Sequence, residues 1–582
     1  MVRRTKRVVK LAQNRPQPMN SLPSASYRHN GLRDDLLAAV IVAVLLIPQS
    51  IAYALLAGLP PEVGLYASVL PLVAYALVGS SSVNAVGPAA VLALMTVQAL
   101  APLVPKVDAS AAALVLAIEV ALLLAAAAAL KLDALASLLS APVLQGFSTG
   151  AAVSIALSQL PALLGSPARG SNARDLFQSW REAGGHGYWA DAGTAAFGLG
   201  ALALLVLARR HLQRIAARWL SPEQAVLVGR AAPLFVIVLA ALIAWATNAP
   251  AHGVAVVGAL PALHLPFGLP PFDADLWLAL LPAASLIALV TFVSSFAVAE
   301  RLGLQRGEHV DGRRELAGLA AANAVAGLSG GMPVGGSISR SALNAEAGAR
   351  TRWAGVWTAL FFAIAVLLFA TPVAWLPRAV LAASIVVPVI AAAEWGAYAR
   401  AWRYSRNETA IMFLVAALTV VQSTQWALGA GVLVSIALML QHAARPHAAL
   451  IGRVPGTEHY RNVERYATEL TPGVMSLRID ESLLFLNPRQ LPGLVARHLD
   501  AYPDTLRVVL QMTPVNRIDV SGLEALRALQ SVLRGRGIRL DLTEVKGPVL
   551  DGLRAARWSE WFGGRLYLSH HHGVNDEQGM AP

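Results

Sequence analysis

From residue 34 to about 442 apolar stretches follow one another with short polar breaks, and a chain patterned in this way folds as a bundle of membrane-crossing helices. Segments are expected at 36–58, 63–79, 88–101, 110–130, 135–160, 191–208, 229–247, 276–299, 315–331, 338–349, 353–370, 376–400, 407–421 and 426–442. Two of the fourteen, 88–101 and 338–349, are too short to cross a bilayer alone. Each follows a Gly- or Pro-bearing interruption, Val86-Gly87-Pro88-Ala89-Ala90 in one half and Gly335-Gly336-Ser337-Ile338-Ser339-Arg340 in the other. Gly and Pro start or break helices, so both half-length helices are expected to begin partway through the membrane. A helix that begins at that depth turns its free N–H groups and positive dipole end toward whatever sits there. Two such ends, third in each half of seven segments, suggest an anion site at the centre of a transporter built as a 7+7 inverted repeat. The plainer reading is two kinked helices.

Charge placement tests the segment count. Lys and Arg crowd the stretch from Arg3 to Arg33, with no acidic residue before Asp34. If that tail is cytoplasmic, the loop after the sixth segment is inside, and it carries Arg209, Arg210, Arg214, Arg218 and Arg230. The loops after the eighth (Arg301, Arg306, Arg313, Arg314), tenth (Arg350, Arg352) and twelfth (Arg403, Arg406) fall on the same side. The loop from His252 to Asp273, expected outside, has no Lys or Arg. The net charge of +12 therefore orients a membrane protein and does not point to nucleic acid. With 56% hydrophobic and 14% charged residues the chain is not a soluble enzyme, and with no cysteine it has no thiolate chemistry. The long polar tail, 1–33, does not read as a secretory signal.

After Arg445 the pattern becomes soluble. Val474 to Asp480 alternates like a strand, 506–511 reads as a buried strand, 523–533 has helical spacing and 538–543 resumes the strand pattern. A linker at 443–469, a small cytoplasmic α/β domain at 470–570 and a disordered tail at 571–582 are expected. The His570-His571-His572 run is a poor metal-site candidate, and no cofactor is expected.

Several motifs, in order, carry a resemblance. Leu46-Ile-Pro-Gln-Ser-Ile-Ala-Tyr-Ala-Leu-Leu-Ala-Gly58, Pro61-Glu-Val-Gly-Leu-Tyr-Ala-Ser68, Val86-Gly-Pro-Ala-Ala90, Ser337-Ile-Ser-Arg340 and Gly348-Ala-Arg-Thr351 closely resemble SulP-type anion transporters, the sulfate permeases. Asn516-Arg-Ile-Asp-Val-Ser-Gly-Leu523 resembles the central loop of a STAS domain. The resemblance implies a core domain that carries substrate past a gate domain, a STAS domain below the membrane and a homodimer. It implies secondary transport of a small oxyanion such as sulfate, with bicarbonate or a dicarboxylate as alternatives, in a bacterial-style inner membrane.

The residues fit such a site. Donors are expected around Gly87, Ala89, Ala90, Ile338 and Ser339, with hydroxyls from Ser337 and Ser339. Gln49 in the first segment faces the cavity or bonds a neighbouring helix. Tyr53, one turn on, shares its face and resembles the family's pocket-wall aromatic, or is a packing tyrosine. Arg340 sits in the first turn of a half-helix and resembles the family's arginine in register; its alternatives are a pair with Glu346 or a snorkelling loop arginine.

Two departures stand out. Val63 replaces a frequent tyrosine. In the eighth segment, proton-coupled relatives carry an acidic residue where this chain has Ser294, and the first carboxylate is Glu300 near the cytoplasmic end. That favours exchange, uniport or a sodium-coupled cycle over proton symport. In the STAS loop, Asp519 and Ser521 are expected to cap a helix, with Ser521 as a phosphoacceptor by resemblance to anti-sigma-factor antagonists. A rival of another class is a membrane-held signalling protein with STAS as its output, contacting a cytoplasmic partner.

Overall fold

The computed structural model describes residues 31–577 apart from 104–105, 138–139, 167, 169, 171, 183–190, 220, 222–227, 230–231, 260–266, 445–446 and 488–489. The basic stretch 1–30, Arg230 and residues 578–582 lie outside the described residues. The chain divides into two compact units, Met1–Val432 and Leu433–Pro582.

Among the described residues every expected apolar segment overlaps a helix, the last falling on Thr424–Ala444. The second segment is broken into Pro61–Tyr66 and Leu70–Val78, and the twelfth into Arg378–Ala392 and Trp395–Tyr404. Among the described residues eight helices or helix pairs are long and apolar enough to cross a membrane alone. The half-length helices are Ala90–Leu100 and Ile338–Glu346. A short polar helix, Ala173–Glu182, was not legible as an apolar segment because only Leu176 is buried.

These helices sort into two bundles. Leu32–Leu56, Leu70–Val78, Ala109–Ala129, Ala274–Arg306, Gly312–Leu328 and Trp353–Ala374 pack together and hold both half-helices. Ala141–Leu164, Ala192–Ala216, Ala232–Ala246, Arg378–Ala392 and Arg406–Val421 form the other bundle. Each bundle draws matching pieces from both halves of the chain, as an inverted repeat requires. In the second bundle, small residues let backbones touch: a Cβ on Gly146 would lie 2.5 Å from the Met412 carbonyl oxygen.

Buried carboxylates tie the first bundle together. Glu315 is fully buried and accepts from Tyr75 Oη (2.8 Å), Ser80 N (2.9 Å), Ser80 Oγ (2.7 Å) and Ser81 N (2.9 Å). Asp35 accepts from the backbone of Arg350 (2.6 Å) and Thr351 (3.1 Å), while Asp34 pairs with Arg350 at 2.7 Å. The first span is thereby fastened to the segment that follows the second half-helix.

The second unit is a six-stranded sheet in the order Tyr460–Asn462, Ala448–Arg453, Val474–Ile479, Arg507–Gln511, Arg539–Thr543, Leu566–Tyr567. The first two pairings are antiparallel and the last three parallel. Helices Leu491–Ala501, Val520–Gly535 and Gly547–Ala555 pack on it over Leu477, Val508, Leu510, Leu526, Leu540 and Leu542.

Two expected boundaries are corrected here. The segment 443–469 is no linker, because it supplies the two antiparallel strands, and Ile451 and Tyr460 are buried with Val574. The described part of the expected disordered tail is instead the helix His570–Asn575, closed by Asp576, which accepts from Arg539 (2.7 Å), Arg565 (3.2 Å) and the Tyr567 hydroxyl. Burial alone would push the Asp576 carboxyl up, but the Tyr567 and Arg539 hydrogen bonds hold it down at about 2. The histidine run that hid this helix is partly core: His570 is buried, with Nδ1 2.7 Å from Thr543 Oγ1 and the Tyr460 ring edge-on at 4.7 Å.

Two outcomes follow from this wiring. Glu315→Ala strands several buried donors, so the full-length protein in detergent should lose about 3 kcal/mol or more, read as a lowered apparent Tm. Burial pushes the His570 imidazole down to about 4 against an ordinary 6.5, despite the neighbouring Glu544 carboxylate. Between those values the unfolded chain binds a proton that the folded one does not, so stability falls as pH drops from 6.5 toward 4. Hydrogen exchange of the strand Arg539–Thr543, corrected for intrinsic rates, should show that loss at about 3 kcal/mol or less, and His570→Asn should remove it.

Candidate anion site

The centre of the first bundle is a place where the chain is not helical. Val86–Gly87 and Gly335–Gly336 run extended and antiparallel, with Val86 opposite Gly336 and Gly87 opposite Gly335. Non-helical backbone at membrane depth needs partners from the protein. Asn84, Ser341, Asn344, Asn323 and Ser295 provide them. Ser341 Oγ accepts from Ala85 N (2.9 Å) and donates to Asn84 Oδ1 (3.1 Å), and Asn344 Nδ2 donates to the Val83 carbonyl (3.1 Å). Asn323 clamps both backbone groups of Val334 at 2.9 Å, and Gly336 N donates to Ser295 Oγ at 2.7 Å.

Both strands then turn into helices with bare N-termini. Ala89 and Ser337 are extended N-cap residues, and neither helix has a side-chain cap. The first helical backbone bonds are Ala93 N to Ala89 O (2.9 Å) and Ser341 N to Ser337 O (2.8 Å). The N–H groups of Ala90, Val91 and Leu92, and of Ile338, Ser339 and Arg340, precede those ladders. The second terminus is open: Ile338 is 58% exposed and Ser339 is exposed, whereas Ala89 and Ala90 are half-buried. Ser337 Oγ and Ser339 Oγ lie 3.3 Å apart.

Arg340 is 2% exposed, and neither Nη1 nor Nη2 has a hydrogen-bond partner among the described residues. Its guanidinium lies against Gly87, where a Cβ would come 3.3 Å from Nη2. Among the described residues Arg340 forms no pair with Glu346, which is exposed and engaged elsewhere. A buried cation with unused donors beside two positive helix ends is an arrangement that binds an anion. Tyr53 is buried and Gln49, one turn earlier, is half-buried; both lie on the first span, which packs against both half-helices.

The structure thus brings Tyr53, Gly87, Ala89, Ala90 and Ser337–Arg340 together. The expected coupling positions, Ser294 and Glu300, lie on the helix Ala274–Arg306. Ser294 Oγ turns back to the Val290 carbonyl at 2.6 Å, and its neighbour Ser295 is the residue that touches the crossing. Glu300 is exposed. Asn84, Asn323 and Ser341 were also missed, although polar residues in apolar segments were the available signal. Asp519 and Ser521 belong to the other unit. Asp519 Oδ1 accepts from Gly522 N (2.9 Å) and Oδ2 from Phe485 N (2.7 Å), which makes Asp519 the helix cap. Ser521 is half-buried beside it.

Comparisons with known proteins cover both units. The Sulfate permease family model matches residues 32–415 and the STAS domain model residues 465–573. A protein of Mycobacterium tuberculosis described as a "probable sulfate transporter" is 32% identical over 538 residues, covering 91% of this chain and 92% of its own. "Probable sulfate transporter 4.2" of Arabidopsis thaliana is 31% identical over 568 residues, covering 93% and 81%. Among solved structures, the murine Solute Carrier 26 family member A9 anion transporter in the inward-facing state aligns with a TM-score of 0.82 at 20% identity, covering 97% of this chain and 96% of that one.

The crossing leaves no room for a methyl group: a Cβ on Gly336 would lie 2.5 Å from Asn84 Oδ1 and 3.0 Å from Ser295. Gly336→Ala should therefore displace the second helix terminus and weaken binding of small oxyanions by about tenfold or more, measured by titration calorimetry on the purified protein.

Proposed function

The chain belongs to the sulfate permease family, a family of transporters, and from that membership we propose that it carries sulfate across a membrane by alternating access. The observation that carries the reading is the crossing of Val86–Gly87 with Gly335–Gly336, which leads into two uncapped helix ends beside the Arg340 guanidinium, whose Nη1 and Nη2 have no hydrogen-bond partner among the described residues. Sulfate offers only acceptor oxygens and two negative charges. The N–H groups around Ala89–Ala90 and Ile338–Ser339 and the Ser337 and Ser339 hydroxyls supply donors, and Arg340 supplies charge.

Transport needs the site to meet water on one side and then the other. The bundle that holds both half-helices acts as the moving core, and the second bundle acts as the gate. Tyr53 and Gln49 line the face that the first span turns to the anion. The soluble unit and the N-terminal tail lie on the cytoplasmic side of a bacterial inner membrane, and the protein works as a homodimer, as the charge pattern and family resemblance suggest.

Radiolabelled sulfate uptake into proteoliposomes tests this. Wild type should accumulate sulfate, while Arg340→Ala, which keeps the backbone donors but removes the charge, should fall by about a hundredfold, toward the level of empty vesicles, with an unchanged elution profile. Flux of bicarbonate or succinate in place of sulfate would reassign the substrate. Inactivity of folded wild type toward all three would overturn the transport reading.

A further inference from the structure

Glu119 is the one charged residue in the helix Ala109–Ala129, at its midpoint and about 15 Å from either end. It is 3% exposed, and Oε2 is buried with no hydrogen-bond partner among the described residues. The other two buried carboxylates of this bundle are not like it. Glu315 collects donors from Tyr75, Ser80 and Ser81, and Asp35 collects the backbone of Arg350 and Thr351. Those are structural carboxylates with their lone pairs occupied. Glu119 Oε2 has no such partner among the described residues.

Its surroundings link it to the anion site. The helix Ala109–Ala129 packs against the first half-helix, against Ala274–Arg306, which carries Ser295, and against Gly312–Leu328, which carries Asn323. Those three elements supply the first helix terminus and the two side chains that hold Gly336 and Val334. The titratable groups on the packed elements are accounted for. The half-helix Ala90–Leu100 has none. On Gly312–Leu328, Glu315 is taken up as described and Arg313 Nε donates to the Ala128 carbonyl at 3.0 Å, with Arg314 beside it at the helix start. On Ala274–Arg306, Asp275 is in the first turn, Arg301 and Arg306 are in the last two turns, and Glu300 is exposed. Asp133 lies in the exposed turn beyond Ala129. None of them forms an ion pair with Glu119.

We propose that Glu119 is the proton-carrying residue of this transporter, so that sulfate moves together with protons. The inference rests on the sulfate-transport reading above. An ionised carboxylate without a partner is costly in this position and the neutral acid is far less so. One proton binds the carboxylate to give the neutral acid that packs between these helices. When the bundle rearranges and the group meets water on the other side, the O–H bond breaks and the same proton leaves. Glu119 supplies a titratable group on a helix that packs against the elements of the anion site.

The test is sulfate uptake into proteoliposomes under an inward proton gradient, set beside sulfate counterflow at equal pH, which requires no net proton movement. In wild type the gradient should stimulate uptake, and trapped pyranine should report acidification that follows sulfate entry. Glu119→Gln, an uncharged isostere, should lose the stimulation by about tenfold or more while counterflow stays measurable, and Glu119→Asp should restore part of it with a shifted pH profile. Gradient-stimulated uptake that persists in Glu119→Gln would overturn the proposal. So would wild-type uptake indifferent to the gradient with no pyranine signal, a result that needs no variant to fold and leaves sulfate transport standing. Absence of sulfate flux in wild type under every condition would remove the transport reading itself.

Discussion

Everything in the membrane unit is arranged around one antiparallel contact two residues long, Val86–Gly87 against Gly335–Gly336. Extended backbone deep in a membrane bundle is costly unless its N–H and C=O groups find partners inside the protein. That requirement explains the unusual set of buried polar side chains nearby. Asn323 takes both groups of Val334, Ser341 and Asn84 close one flank, and Ser295 takes the N–H of Gly336. It also explains the glycines: Gly336 has no space for a Cβ, and Gly87 gives the Arg340 guanidinium its place. The crossing is antiparallel, as two strands from repeats of opposite orientation would be, and each strand leads into an uncapped helix end.

Charge is handled in two ways within that bundle. Carboxylates that hold helices together have their acceptors filled, as Glu315 and Asp35 do, and so act as buried anchors between segments distant in sequence. Among the described residues Arg340 Nη1 and Nη2 and Glu119 Oε2 have no hydrogen-bond partner. A buried charge kept without partners is destabilising by several kcal/mol in general, so a fold tolerates it where a mobile species completes the coordination. The same logic separates structural from functional charge here without reference to sequence position.

Much of this could be read before any coordinates. The helix positions, the two half-helices and Arg340 follow from apolar periodicity, from Gly and Pro, and from the cost of charge in lipid, all of which act locally. What could not be read depends on contacts between distant segments. Whether Ser294 or Ser295 meets the crossing turns on helical phase and on which helix lies opposite. Whether Arg340 pairs with Glu346 turns on the direction of one side chain. The helix His570–Asn575 was hidden because its stability comes from Thr543, Tyr460 and Asp576's partners, with little helical propensity of its own. The strands at 448–453 and 460–462 were missed for a similar reason: the first is an apolar run close behind the last membrane helix, the second is only three residues long, and both are defined by the sheet they join.

On the proposed reading, the composition of the site also bears on which anions it takes. Backbone N–H groups and a guanidinium only donate, so they favour a ligand whose surface is all acceptor. A protonated oxyanion adds a hydroxyl that needs an acceptor, which the backbone N–H groups and the guanidinium cannot offer. Sulfate is fully ionised at neutral pH and makes no such demand, whereas bicarbonate does. Backbone donors at helix ends also impose little orientation, because they form a cone of N–H vectors and not a fork. Discrimination in such a site falls to charge and size, set by how closely Gly87 and Gly336 let the two helix ends approach each other. The glycine pair that makes the crossing possible is therefore also what sets the width of the anion seat.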